Sequence, residues 1–103
     1  MRVWLISDNH DTLVGMRLAG IEGILVNETE EILEAIDTAV SMSDVGILVV
    51  TEKISAKIPD VIQRLRENGD LPLVIEIPDR HGTNRGPDFL TRYVRDAIGV
   101  KMG

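Results

Sequence analysis

Asp8, His10 and Asp11 crowd one polar stretch, Ser7-Asp8-Asn9-His10-Asp11, directly behind the apolar run Val3-Trp4-Leu5-Ile6. Carboxylates and an imidazole are ligands for a divalent ion. An acidic cluster after a first strand also begins a phosphoacceptor site. That second chemistry needs an aspartate nucleophile ending the third strand and a lysine late in the sheet. The third apolar run ends Val49-Val50-Thr51 and the fourth ends Ile77-Pro78, so the group that would take the phosphoryl is missing. For the metal reading, a flexible loop makes the spacing uninformative, and His81 is the only other histidine. Capping and loop solvation is the simpler role for these residues.

Other chemistries fail for similar reasons. Gly15, Gly20 and Gly23 match neither the phosphate-loop nor the dinucleotide spacing. Ser41 and Ser43 have no histidine base placed by a motif. Cysteine is absent, which removes disulfide, thiol and thiolate-metal chemistry and fits a reducing compartment. No catalytic, cofactor or metal constellation emerges.

The elements that would position any such site follow from the apolar pattern. Residues 3–6 read as a strand apolar on both faces, with Trp4 in the core, and this strand should lie inside the sheet. A helix follows, capped by Asp11 or Thr12 and ended by Gly20, with Gly15 and Ala19 giving a close approach to the sheet. Residues 23–26 form a short second strand. Asn27 and Glu30 then resemble a capping box for a helix whose Ile32, Ala35, Ile36, Ala39 and Val40 make an apolar stripe. Its opposite face is acidic, with Glu28, Glu30, Glu31, Glu34 and Asp37, and reads as solvated.

Residues 45–50 are a β-branched run that should be buried on both sides. Ile54, Ile58, Val61, Ile62 and Leu65 repeat at helical spacing. Pro59 divides them into a short turn and a main helix, which Asn68-Gly69 closes. Residues 71–78 give a fourth strand with a proline near each end. Alternating strands and helices predict an α/β fold with an open four-stranded parallel sheet, order 2-1-3-4, flavodoxin- or receiver-like, with a hinged C-terminal helix. The expected organisation is a globular domain over 1–78, a flexible linker over 79–86 and an amphipathic helix over 87–103. Only Phe89 and Tyr93 join Trp4 as aromatics. They lie in an apolar stripe opposite Arg92 and Arg95, so Phe89, Leu90, Arg92, Tyr93, Val94 and Arg95 are the candidate partner-binding residues. That stripe can bury itself on its own domain or on a partner.

At 103 residues the chain is one domain. Its net charge of −6 is uneven: residues 1–52 hold two basic and ten acidic residues, a balance of −8, and 53–103 hold nine and seven, a balance of +2. Such a body argues against a nucleic-acid partner. There is no basic-then-apolar leader, and no run approaches the roughly 20 apolar residues of a membrane span. The expectation is a soluble chain with no direct membrane insertion, held at a membrane only by other proteins.

The segment Asp11-Thr12-Leu13-Val14-Gly15-Met16-Arg17-Leu18-Ala19-Gly20-Ile21 resembles the D-T-x-x-G-F-R-L-A-G signature of the F subunit of archaeal and bacterial A/V-type ATPases. Gly46-Ile47-Leu48-Val49-Val50-Thr51-Glu52 is similar to that family's third strand, and Leu71-Pro72-Leu73-Val74-Ile75-Glu76-Ile77-Pro78 to its fourth. Ala97-Ile98-Gly99-Val100 is similar to its C-terminal helix end. Met16 replaces the usual phenylalanine, and the loop Asp8-Asn9-His10-Asp11 is one residue longer. The resemblance implies a non-catalytic central-stalk component of a rotary ATPase, peripheral on the cytoplasmic side of the cell membrane. It implies that the domain binds the coiled coil of the D subunit and that the C-terminal helix reaches the A/B catalytic ring, contributing to coupling and regulation. The residues alone leave a second class open, a small α/β signalling or ligand-binding module of degenerate receiver-like type.

Overall fold

The computed structural model describes residues 1–70 and 72–78. The linker over 79–86, the helix over 87–103 and all six candidate partner-binding residues lie outside the described residues. Within them the order is β1 (Arg2–Ser7), α1 (His10–Leu18), β2 (Glu22–Leu25), α2 (Thr29–Ser41), β3 (Val45–Thr51), α3 (Glu52–Lys57), α4 (Pro59–Glu67) and β4 (Leu73–Ile77). The strands form one parallel sheet in the order β2-β1-β3-β4. The expected α/β architecture and strand order are both present.

β3 is buried along its whole length, because both of its neighbours are strands and helices cover its faces. Successive residues feed opposite sides. Leu48 and Val50 point into a core shared with Ile6, Val74, the α2 stripe and Ile54, Ile58 and Ile62. Ile47 and Val49 join Leu5, Ile75 and Ile77 on the other side, where the helical contribution among the described residues is Leu13 and Met16 of α1. So α1 lies on one face of the sheet and α2, α3 and α4 lie on the other. Few aromatics are needed because branched aliphatic residues fill both layers.

Local chemistry places the breaks. Pro59 occupies the first turn of α4 and separates it from α3 at Ile58, as the spacing predicts. Gly20 adopts φ +89, a left-handed conformation that lets the chain turn back into β2. Gly23 serves a different need: a Cβ there would collide with the Leu5 backbone, so β2 can sit against β1 only with glycine at this point.

Several details differ from expectation. α1 begins one residue before Asp11, and Asn9 is its cap, with Oδ1 accepting the Thr12 N–H at 3.1 Å. The cause lies in β1, where the Ser7 hydroxyl accepts the Asn9 N–H and donates to the Asn9 carbonyl, each at 2.9 Å. That pin holds Asn9 extended. Gly15 is buried as expected, but Ala19 is exposed because it is already the C-cap residue. The start of α2 moves on by one residue: Glu28 is the cap, and its N–H donates to the Glu31 carboxylate at 3.2 Å. Asn27 stays in the loop, where its carbonyl accepts from Lys57 Nζ at 2.6 Å.

Trp4 is half-buried at the amino end of β1, with the Arg2 guanidinium 5.3 Å from its ring centroid and Asp44 3.1 Å from Arg2 Nε. Trp4 packs against the larger core cluster while staying partly exposed, so it borders that core and does not fill it. Leu48 does fill it, at the centre of the larger cluster. Replacing it, Leu48→Ala, is expected to lower unfolding free energy by about 2–5 kcal/mol, read as a fall in the urea midpoint with the slope unchanged.

Candidate functional site

In an open parallel α/β sheet ligands bind beyond the carboxyl ends of the strands, which here means Ser7–Asp11, Asn27, Thr51-Glu52 and Pro78–His81, of which Asp79, Arg80 and His81 lie outside the described residues. The buried polar groups there answer one another. Thr51, almost fully buried, donates its hydroxyl to Asp8 Oδ1 at 2.6 Å. Ser7, also buried, is engaged by Asn9; Asn9 caps the α1 N-terminus; and Lys57 donates to the Asn27 carbonyl. A buried hydroxyl left without a partner costs about 1–3 kcal/mol, so these contacts hold the loop and leave little freedom to grip a substrate.

Asp8, His10 and Asp11 do not converge. Asp8 turns to Thr51, whereas His10 and Asp11 are exposed in the first turn of α1 with Nδ1 and Oδ1 4.0 Å apart. Among the described residues no three histidine or acidic side chains are grouped to hold a metal. The position where a phosphoacceptor would stand is Thr51, and its oxygen is already committed to Asp8.

The surface offers more than the strand ends do. α2 packs over β1 and β3, and α4 packs over β4. Between them runs a groove of about 960 Å³, with Leu33, Ile36 and Val40 on one wall and Val61 and Leu65 on the other. Val40, expected in the core, is 43% exposed, and Leu33 is 38% exposed. The reason is that α2 and α4 straddle the sheet without closing over one another. A smaller apolar patch on α1 consists of Val14 and Leu18, the latter 74% exposed. Sequence reasoning missed the groove because its walls come from helices far apart in the chain; its one local trace is the seven-residue spacing of Leu33 and Val40. The five acidic residues of the α2 region are exposed, as expected.

This is a parallel α/β module whose buried Ser7 and Thr51 are engaged by its own loops and much of whose exposed apolar surface lies on helix faces. The chain belongs to the family of the ATP synthase (F/14-kDa) subunit, whose profile matches residues 3–94. It is 34% identical over 109 residues to the A-type ATP synthase F subunit of Thermococcus kodakarensis, covering 99% of this chain and 98% of that one. It is 35% identical over 104 residues to the corresponding protein of Methanococcus maripaludis, covering 99% of each. To that of Methanocaldococcus jannaschii it is 31% identical over 103 residues, again covering 99% of each.

The loop contacts can be tested directly. Asn9→Ala is expected to cost about 0.5–2 kcal/mol through loss of the α1 cap, and Thr51→Val about 1 kcal/mol through loss of the bond to Asp8. Both are measurable by urea denaturation, and unchanged midpoints in both variants would remove this account of the loop.

Proposed function

We propose that this chain is the non-catalytic central-stalk component of an A-type rotary ATPase. In this reading residues 1–78 dock on the coiled coil of the D subunit, and the C-terminal segment contributes to coupling by reaching the A/B ring. The observation that carries the reading is the match to an A-type ATP synthase F subunit over 99% of the chain. The committed strand-end polar groups are consistent with it, because a body that transmits torque needs a rigid frame and no substrate pocket. Among the described residues no helix is long and apolar enough to cross a membrane, so the proposed place is peripheral, on the cytoplasmic side, through other members of the complex.

For the C-terminal segment, Phe89, Leu90, Arg92, Tyr93, Val94 and Arg95 are proposed as partner-binding residues, carried on a hinge over 79–86. Within 1–78 the described residues already assemble the four-stranded sheet and its larger core cluster, which is consistent with a domain over that span.

Two measurements decide the matter. Co-expression with the coiled-coil protein of the same complex should yield a stoichiometric pair on size exclusion, and independent elution of the two would refute the stalk reading. Removal of residues 80–103 should leave a cooperatively folding domain that still binds the coiled coil but alters ATP hydrolysis by the assembled complex. A truncated chain that does not fold would refute the proposed division into domain, hinge and helix.

A further inference from the structure

We propose that the groove between α2 and α4 is the seat for one helix of a coiled-coil partner, and that this helix carries lysine or arginine along the side that faces α2. The inference rests on the stalk reading above and adds the face, the register and the charge of the contact.

Three observations converge on it. The first is spacing. Leu33, Ile36 and Val40 stand at i, i+3 and i+7, and Val61 and Leu65 stand at i and i+4. These are the intervals by which one helix receives the side chains of another in a coiled-coil seam.

The second is depth. Ile36 is almost fully buried and forms the floor, whereas Leu33 and Val40 are more than a third exposed and form the rim. Among the described residues no element covers this rim, so the groove has the profile of a packed layer open on its upper side. A 13-residue helix such as α2 is about 20 Å long, so it can present several turns to a partner.

The third is charge. α2 carries Glu30, Glu31, Glu34 and Asp37 and no basic residue, and Asp37 lines the groove itself. On the other wall stand Arg64 and Glu67. Of the α2 acids only Asp37 lines the groove, with Glu30, Glu31 and Glu34 elsewhere on the same helix, and the facing wall holds both charges, so the complementary occupant is basic on the flank nearest α2. A second copy of this chain would set the same acidic helix against itself or against the mixed wall. It is the weaker match for that reason.

The test uses the full-length chain titrated against the coiled-coil protein of its own rotary complex. Leu33→Asp and Val40→Asp should each weaken binding by about tenfold or more. Asp37→Lys should weaken it less and flatten its dependence on salt. Leu18→Asp, on α1, should leave it unchanged. The rim residues already reach water, so the variants should fold, and circular dichroism checks this. Hydrogen exchange on the wild-type complex supplies a readout free of mutation, with slowing expected in α2 and α4.

If the wild type binds while Leu33→Asp and Val40→Asp bind equally well, or if the loss follows Leu18→Asp, the groove assignment falls and the stalk reading stands. Should the wild type fail to bind the coiled coil, both fall together. A groove variant that changes only self-association of this chain, seen by sedimentation, would overturn the proposal in favour of a second copy.

Discussion

β3 has no face left for water. All seven of its residues are buried, and that single constraint determines much of the rest. A strand enclosed on both faces needs a strand on each edge to satisfy its backbone and helices above and below to cover its side chains. Parallel neighbours cannot be joined by tight turns, so each connection must cross over as a helix. The alternation Ile47, Leu48, Val49, Val50 then divides the hydrophobic content between two cores. The core on the α1 side receives Ile47 and Val49, and the core beneath α2, α3 and α4 receives Leu48 and Val50.

The same constraint explains how the polar groups at the carboxyl ends of β1 and β3 come to be occupied. The last residue of β3 is still buried, and it is a threonine, whose hydroxyl must find a partner on leaving water. It finds Asp8, which stands at the end of the adjacent strand. What begins as the nearest thing to a functional carboxylate is thereby drawn into a structural contact. Ser7 repeats the pattern one strand over, committing its hydroxyl as both donor and acceptor to Asn9.

Hydrophobic runs and special backbone residues made most of this fold legible. The length of the Val45 to Val50 run, the break at Pro59, the turn at Gly20 and the order 2-1-3-4 all follow from interactions within or between adjacent elements. The caps did not follow, because contacts outside the helices set them. Asn9 is the cap of α1 because Ser7 holds it extended, and Asn27 is kept out of α2 while its carbonyl accepts from Lys57, thirty positions away. Trp4 and Val40 fit an apolar pattern that cannot distinguish a residue beneath a neighbouring helix from one beside a gap. The groove has the same origin. It exists because α2 and α4 stand over different strands, which no periodicity within either helix encodes.

The proposed seat for a partner helix lies directly over the main core. Its floor, Ile36, belongs to the same cluster as Ile6, Ile32, Leu48 and Val50, so a helix seated there bears on the main core through one layer of side chains. Force applied to the rim reaches the buried strands without passing through a loop. Protein interiors are close-packed and transmit strain, so a contact built over this core moves with the whole sheet. A patch on the outer side of α1, such as Leu18, has no comparable path because its side chain is three-quarters exposed. In the proposed stalk role, the stiffer of the two apolar surfaces is the one on which a partner would gain purchase.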